Sequence, residues 1–388
     1  MRGHLCTDEA ALTPYLSAWG DLARTSGRPL AQPSWLLSWW RHCRPHGSGL
    51  LVAVVLDDDD RLVAVAPLYG DRAHGGLRRV RLLADETSIG VSPLAAAPDA
   101  ARAIEVLAHC LAAVRPKIDI LSLAGVRVDE RWSDLLAASW PAQVRVVQHK
   151  RVLAPSVTLA FRSFDEWMAG RSRNFRQQVR RFRRRLESQG VTFHEATPVN
   201  ASEVLEAFTR LHVERWAGRG GSSALDAEVH RMLLSAVPAL IRMSGAVVHY
   251  LLQQDEVIAA ALFLRAGGTW SYWLNGFDER HGENSPSIVL LAAAVEQAVA
   301  AGDSTLDLGA GNQPYKQRFA DTAIELEWTT LVTASGVRRV PATAVTRAQV
   351  WARSTSRRLP EPLQEVARKA LSYRRTSVAV AKETTHDI

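Results

Sequence analysis

The chain has 388 residues, more than a single core usually serves, and this length predicts two domains. Apolar residues make up 47% and charged residues 22%, which excludes a largely disordered chain. No run of 18 apolar residues occurs, and Asp8 and Glu9 precede the first apolar run at the N-terminus. The three cysteines lie far apart in the sequence. We therefore expect a cytoplasmic protein without a membrane span, secretory leader, disulfide framework or CxxC metal site.

The net charge of +7 is concentrated in two segments. Eight arginines and no acid lie between Arg171 and Arg185, and 11 Lys+Arg against 4 Asp+Glu follow from Gly336 to the end. The remaining chain is therefore acidic overall. This pattern predicts an acidic body with a basic helix and a loosely structured basic tail, for which contact with a membrane surface is left open.

The first half has the pattern of two helices, a hairpin, a strand, a helix and a strand. We expect the helices at 12–24 and 34–42, the hairpin at 50–56 and 61–67, and then a strand at 80–83, a helix at 99–114 and a strand at 118–123. The second half repeats the later part of this order, with a hairpin at 246–252 and 257–264, a strand at 269–277, a helix at 287–301 and a strand at 305–308. The repeat indicates a duplicated α/β unit, and two unrelated α/β segments are the alternative.

The basic segment between the halves predicts two helices. Ser163 and Glu166 have capping-box spacing for a short helix ending near Gly170. The next helix is expected to stop at Gly190 and to bury a stripe with steps of four, three and four residues, namely Phe175, Val179, Phe182 and Leu186. Its arginines then face solvent or an anion, and Arg176 and Arg180 are predicted to contact a phosphate-bearing substrate. The alternative is a solvated helix face that balances the acidic body.

An ordered series of motifs resembles a known family. The series is RSRNFRQQVRRFRRRLESQG (171–190), LHVERWAGRG (211–220), YWLNGFD (272–278), SPSIVLLAAAVEQA (285–298) and LDLGAGNQPYKQRF (306–319). It resembles the BioF2-like or CelD-like acetyltransferase domain of the GNAT superfamily, which is related to the FemAB aminoacyltransferases. The resemblance implies an α/β (α+β) fold in which helices flank a GNAT-type mixed sheet, with two tandem GNAT-like units. We expect a degenerate unit at 1–154, the acetyltransferase domain at 155–335 and the basic tail at 336–388.

The same resemblance implies an N-acyltransferase. The expected donor is an acyl-CoA, and the expected acceptor is an amine of an anionic sugar, polysaccharide or envelope precursor. A FemAB-like transferase that takes its acyl group from aminoacyl-tRNA is an alternative, and so is a non-catalytic binding protein that kept the fold. No nucleic-acid-binding motif accompanies the arginines. No HExxH, GxSxG or GxxxxGK[ST] motif occurs, and no metal is expected.

Site residues are carried over from the family by position. Tyr315 is similar in location to the tyrosine that protonates the leaving thiolate, and Glu214, close to His212, is a candidate base. Four residues are expected to hold the donor: Arg280, Ser285, Ser287 and Asn312. The loop at 280–287 has Glu283 and Ser285 where the family usually has glycines, which places ordinary coenzyme A binding in question.

Three further residues are expected to bind substrate. Tyr272 and Trp273 lie on a strand that lines the acceptor site in the family, and Lys316 is a candidate for holding a phosphate or carboxylate. Strand alternation predicts that Trp270, Tyr272 and Leu274 share one face of that strand. The alternatives are aromatic core packing for the strand and an exposed lysine at the start of a helix.

Overall fold

The computed structural model describes residues 1–217, 222, 224–311 and 313–356. The strands of the first half are β1 (Arg2–Cys6), β2 (Gly49–Leu56), β3 (Leu62–Arg72), β4 (Arg78–Leu82), β5 (Leu94–Ala95), β6 (Ile120–Arg127) and β7 (Arg145–Thr158). Its helices are α1 (Glu9–Leu12), α2 (Leu16–Thr25), α3 (Pro33–Cys43), α4 (Ala100–Ala112) and α5 (Trp132–Ser139).

Two helices, α6 (Phe164–Ala169) and α7 (Arg173–Ser188), connect the halves. The strands that follow are β8 (Thr192–Glu195), β9 (Ala246–Gln253), β10 (Glu256–Ala266), β11 (Thr269–Phe277), β12 (Thr305–Asp307) and β13 (Thr322–Val332). The remaining helices are α8 (Ala201–Ala217), α9 (Ala227–Arg242), α10 (Pro286–Ala300), α11 (Pro314–Phe319) and α12 (Arg339–Ser356).

The strands of the described residues form one mixed sheet with a nearly symmetric order. The order is β1-β2-β3-β4-β6-β13-β7-β12-β11-β10-β9-β8, and β5 pairs with β3 at the side. Each half contains one parallel pair joined through a helix: β4 and β6 through α4, and β11 and β12 through α10. The predicted GNAT-type mixed sheet with two tandem units is confirmed.

The two halves exchange their last strands at the centre of this sheet. β7 comes from the first half but pairs with β12 of the second, and β13 comes from the second half but pairs with β6 of the first. Between them, β7 and β13 form a long antiparallel ladder from Thr322–Ser156 to Val332–Arg145. The expected boundary between residues 154 and 155 falls inside β7, so the halves share the middle of the sheet.

The local predictions for the basic segment are confirmed. Ser163 Oγ accepts a hydrogen bond from the Glu166 backbone N–H at 3.2 Å, and Glu166 Oε2 accepts one from the Arg162 backbone N–H at 2.7 Å. The first bond satisfies a donor that the first turn of α6 would otherwise leave free, and the second ties the residue before the N-cap to the same turn. On α7 the buried residues are the four of the predicted stripe: Phe175, Val179, Phe182 and Leu186.

The hydrophobic core lies on both faces of the sheet. One large cluster joins helices of both halves, because α3 of the first half packs against α9 of the second. In this cluster the rings of Trp35 on α3 and Trp273 on β11 meet edge to face, with centroids 5.5 Å apart. The second cluster lies under α6, α7, α10 and α11 on the other face of the second half.

The segment expected to be a loosely structured tail begins with helix α12, which packs against the sheet. Arg338 donates hydrogen bonds to both carboxylate oxygens of Asp119, at 2.8 and 2.6 Å, and Ala342 and Thr346 of α12 are buried. The prediction of a loosely structured segment directly after Gly336 was therefore wrong, because Ala342 and Val345 of α12 pack against a cluster that includes Ile120 and Val332 of the sheet. The rest of the tail, residues 357–388, lies outside the described part. Among the described helices, none is both long and apolar enough to cross a membrane.

We predict that a single methyl group at the β10–β11 turn disrupts the contact between the halves. A Cβ atom at Gly267 (φ +53°) would stand 1.9 Å from the backbone oxygen of Arg24, so Gly267→Ala adds a clash to the strain of a positive φ. Gly302→Ala is the matched control, because its φ is +70° and no atom lies within 4 Å of the new Cβ. We expect about 1 kcal/mol of destabilisation for the control and about 2 kcal/mol more for Gly267→Ala, measured by urea unfolding. Equal losses would contradict the packing.

Candidate functional site

The parallel strands β11 and β12 pair only over a short distance. Their three residue pairs end at Ser271–Asp307, whereas β11 continues along β10 as far as Phe277. From Tyr272 onward, the β11 edge that faced β12 has no strand beside it among the described residues. This opening is the candidate functional site.

A β-bulge lies at the opening. Leu262 of β10 pairs with Leu274 and Phe263 pairs with Tyr272, so Trp273 is the extra residue on β11. Tyr272 therefore packs against the cluster under α10, while Trp273 and Leu274 both pack against the cluster shared by the halves. The expectation that Leu274 shares a face with Tyr272 was wrong, because simple alternation does not continue through a bulge.

Tyr272 and Tyr315 meet at the opening. The hydroxyls of Tyr272 and Tyr315 share a hydrogen bond, and Tyr315 is the second residue of α11. Burial raises the pKa of both phenols, that of Tyr272 well above its ordinary value. Both phenols stay protonated at neutral pH, which suits a proton donor.

Lys316 is buried beside the opening. It is therefore not the exposed lysine at the start of a helix that the alternative expected. Its Nζ donates hydrogen bonds to the backbone oxygens of Gly309 and Ala310, at 3.0 and 3.1 Å. Burial lowers its pKa to about 8, although the nearby Asp307 carboxylate works against this shift. Lys316 therefore fixes the loop that follows β12.

Asp307, which the sequence analysis did not select, lies at the last pair of β11 and β12. Its Oδ1 accepts a hydrogen bond from the Gly309 backbone N–H at 2.8 Å, and burial raises its pKa. The only available sequence signal was its place in the LDLGAG motif at the end of a strand.

Helix α8 carries three polar side chains close together in sequence, and they differ in exposure and in their contact with β11. His212 is buried, and its Nδ1 lies 3.2 Å from the backbone oxygen of Asn275. Arg215 lies over the Phe277 ring at 4.2 Å, and its charge lowers the pKa of both Tyr272 and Tyr315 against the larger effect of burial. Glu214 instead is exposed, with Oε2 3.7 Å from Nη1 of Arg210 on the same helix.

Three of the four residues expected to hold the donor lie at the start of α10 or in the segment that leads into it. The guanidinium of Arg280 is 2.5 Å from the carboxylate of Asp278. Ser285 adopts φ +45° just before α10, and the buried hydroxyl of Ser287 has no hydrogen-bond partner in the described structure. A helix N-terminus with a spare hydroxyl fits a phosphate oxygen. Asn312 lies outside the described residues, within which no cluster of His, Cys, Asp or Glu fits a metal ion.

The two selected arginines of α7 differ. Nη1 of Arg176 donates to the backbone oxygens of Ala169 and Arg171, at 3.1 and 2.5 Å, so this side chain caps the end of α6. Arg180 lines a surface depression of about 510 Å³ with Gln177, Arg183, Arg184 and Glu187. Across the described residues, six arginines of α7 have no carboxylate within 4 Å: Arg173, Arg176, Arg180, Arg181, Arg184 and Arg185.

The corresponding opening in the first half is filled. β4 and β6 also pair at three positions, but the chain after β4 folds back against β6. A Cβ atom at Gly125 of β6 would stand 3.0 Å from Cγ2 of Ile89 and 3.4 Å from the Gly90 backbone nitrogen. The indoles of Trp35 and Trp39 hold this segment through hydrogen bonds to Ser88 and Thr87, at 3.0 and 2.9 Å.

Comparisons with known proteins agree with this geometry. Residues 173–317 match the family model of the acetyltransferase (GNAT) domain. The structure of FemX is similar with a TM-score of 0.58 and 12% identity, over 86% of this chain and 97% of that one. L-PGS from Bacillus licheniformis is similar with a TM-score of 0.53 and 15% identity, over 86% of this chain and 96% of that one. No curated protein sequence matches the chain.

A third solved structure, a conserved protein of unknown function from Bacteroides thetaiotaomicron VPI-5482, has a TM-score of 0.54 and 12% identity, over 85% of this chain and 99% of that one. At these identities the structural likeness establishes the fold, and the family model establishes the type of domain. Residues 173–317 therefore carry an acetyltransferase (GNAT) domain, and the fold of the chain is similar to that of FemX and L-PGS.

We predict a pH-dependent contribution of Lys316 to stability. Its pKa is about 8 in the folded chain and 10.5 ordinarily, so the unfolded chain binds more protons between these values. The stability of the wild type relative to Lys316→Met should therefore rise as the pH increases from 8 to 10. Urea unfolding of both proteins across this range measures the difference. A difference that stays constant or falls would contradict burial of the ammonium group.

Proposed function

We propose that the protein transfers an acyl group from an acyl-CoA to an amine of an envelope-precursor or sugar substrate, in the opening between β11 and β12. The observation that carries this proposal is the meeting of Tyr272 and Tyr315 where the two parallel strands cease to pair. A thioester placed along the free edge of β11 would have backbone donors on one side and the Tyr315 hydroxyl on the other. Such preorganised donors stabilise the oxyanion that develops during acyl transfer.

Tyr315 would act as the general acid. When the amine attacks the acyl carbon, the C–S bond breaks and the departing thiolate needs a proton. A thiol has a pKa of about 8.5, below that of the phenol, so proton transfer from the phenol to the thiolate is uphill. The positive charge of Arg215 favours the phenolate and thereby lowers this cost. Lys316 would act indirectly, by positioning the loop that carries Tyr315.

The start of α10 supports a phosphate-bearing donor. The unpartnered hydroxyl of Ser287 lies at the second residue of a helix of 15 residues, where free backbone N–H groups and the helix dipole favour an anion. Arg280, in contrast, already pairs with Asp278, so it would have to exchange partners to reach a phosphate. We therefore assign the donor phosphates to Ser287 rather than to Arg280.

The arginine surface of α7 favours one alternative donor. Its six arginines without a carboxylate within 4 Å among the described residues repel one another, at a few tenths of a kcal/mol per neighbouring pair, and a polyanion would relieve this cost. Arg180 and Arg184 line the depression on that surface and are the best candidates for a phosphate contact, while Arg176 is engaged within the protein. An aminoacyl-tRNA, as in the FemAB alternative, would supply such a polyanion.

The first half would serve as a scaffold without a donor site of its own. Its opening holds the segment at Ile89 and Gly90, and so leaves no room for a donor beside Gly125. This division of roles is consistent with the expected degenerate unit at 1–154, the acyltransferase domain at 155–335 and the tail at 336–388.

The donor is tested by presenting the pure protein with acetyl-CoA and longer acyl-CoAs over a panel of amino sugars and other amines. We expect release of the free thiol that depends on one of the amines, together with mass gain of that amine. Transfer from aminoacyl-tRNA in the absence of any reaction with acyl-CoA would move the protein to the alternative. No transfer from either donor would overturn the proposal.

We predict that Tyr315→Phe lowers kcat by about 100-fold and leaves the KM for the donor nearly unchanged, because only the leaving group needs the proton. Tyr250→Phe is the matched control: its buried hydroxyl accepts a hydrogen bond from Asn200 at 3.3 Å, away from the opening. The control should keep its activity within about twofold. The measurement is steady-state kinetics under conditions where the chemical step limits the rate. An unchanged kcat in Tyr315→Phe would reject Tyr315 as the general acid.

A further inference from the structure

A histidine and a serine form a hydrogen-bonded pair beside the opening. Nε2 of His212 on α8 lies 2.9 Å from the hydroxyl oxygen of Ser222, and Nδ1 lies 3.2 Å from the backbone oxygen of Asn275 on β11. The imidazole is 3% exposed. The helix backbone approaches β11 closely here, since a Cβ atom at Gly276 would stand 2.9 Å from the His212 backbone nitrogen.

The carbonyl of Asn275 determines which ring nitrogen carries the proton. A carbonyl oxygen only accepts, so Nδ1 must donate to it, and Nε2 of the neutral ring has no hydrogen. The Ser222 hydroxyl must then donate to Nε2. The same oxygen accepts the Ala224 backbone N–H at 3.2 Å, which helps to orient the hydroxyl. The pair therefore has the arrangement of a base that is ready to take a proton from a hydroxyl.

A second histidine–hydroxyl pair lies on the neighbouring helices, and its hydrogen bond runs in the opposite direction, from the histidine to the hydroxyl oxygen. Nδ1 of His230 on α9 lies 2.9 Å from Oγ1 of Thr209, but this hydroxyl donates to the backbone oxygen of Leu205, also at 2.9 Å. Its proton is already used, so His230 must act as the donor. The two pairs share their residue chemistry and differ in the direction of the bond.

Electrostatics also connect His212 with the opening. Burial lowers the pKa of His212, and the charge of Arg215 lowers it further. The same guanidinium acts on Tyr272 and Tyr315. Two acidic groups on the elements packed against α8 lie near arginines: Glu256 of β10 is 3.6 Å from Arg210 of α8, and Glu228 of α9 is 3.3 Å from Arg231 on its own helix. Strand β11 itself has no charged residue.

We propose that His212, acting through the hydroxyl of Ser222, is the general base that takes the proton from the acceptor amine. This rests on the proposed acyl transfer. As the amine nitrogen bonds to the acyl carbon, its proton passes to Oγ of Ser222 and the serine proton passes to Nε2 of His212. The C–S bond breaks, and the thiolate receives the proton of Tyr315. His212 thus replaces Glu214, which is exposed on the same helix, in the role of base.

The tautomer is tested without any substrate. Long-range proton–nitrogen NMR spectra of the ¹⁵N-labelled protein, assigned with His212→Gln and His230→Gln, report which ring nitrogen carries hydrogen at pH 7.5. We expect His212 to be neutral, with the proton on Nδ1, and to titrate below its ordinary value of 6.5. A proton on Nε2, or a cationic ring at pH 7.5, would overturn the proposal whether or not the protein proves to be an acyltransferase.

Kinetics with acetyl-CoA and glucosamine as probes then test the role in catalysis. His212→Gln, which keeps a side-chain N–H for Asn275, should lower kcat by about 100-fold with little change in the KM for acetyl-CoA. Ser222→Ala should lose a similar factor, and Ser222→Thr, which keeps the hydroxyl, should recover most of it. His230→Gln should stay within about twofold of the wild type.

The two proposals fail in different ways. An active wild type whose kcat is unaffected by His212→Gln and Ser222→Ala overturns the base and leaves acyl transfer intact. If the wild type releases no thiol from acetyl-CoA, the proposed donor fails, and the NMR result alone then decides whether His212 is prepared to accept a proton.

Discussion

The exchange of strands at the centre of the sheet is the constraint on which the candidate site depends. β12 has only three residues, and it keeps its place because β11 pairs on one side and β7 on the other. β7 comes from the first half of the chain and is itself held along its length by β13. The wall of the opening in the second half is therefore built partly from the first half, and the two units fold as parts of one sheet.

Two openings of the same topology differ in what occupies them. In the first half, two tryptophan indoles hold Thr87 and Ser88 so that the following residues cover the edge of β6. In the second half, the comparable edge meets a tyrosine pair, a buried histidine and an arginine instead. The same pair of parallel strands can thus be closed for stability or kept open for chemistry, depending on the segment that follows the first strand.

Features set by local sequence were predictable. The capping box at Ser163 and the buried stripe of α7 depend on spacing along one helix, and the hairpin of β9 and β10 depends on two apolar runs around a turn. The central strands β7 and β13 were not predicted, because polar and charged residues interrupt their apolar pattern. The sequence RVVQHKRVLAPSVT of β7 shows its burial only at the end that lies beside β12.

The candidate site was likewise predictable only in part. The resemblance selected Tyr272, Tyr315 and Lys316, which lie together at the opening, but not the burial of Lys316. His212 was considered beside Glu214, yet only the contact with Asn275, 63 residues away, distinguishes the two. Such long-range contacts between polar atoms leave no periodic pattern in a single sequence, and a bulge such as that at Trp273 changes which face a side chain occupies.

Hydrogen exchange of the protein with and without an acyl-CoA most directly tests whether the opening of the second half is the donor site. We expect saturating acetyl-CoA to slow exchange in peptides that cover 272–277, 286–290 and 313–319, where β11, α10 and α11 surround the opening. Peptides that cover 83–91 and 123–127, at the filled opening of the first half, should be unaffected. Protection confined to the first half, or absent from both openings, would contradict the account.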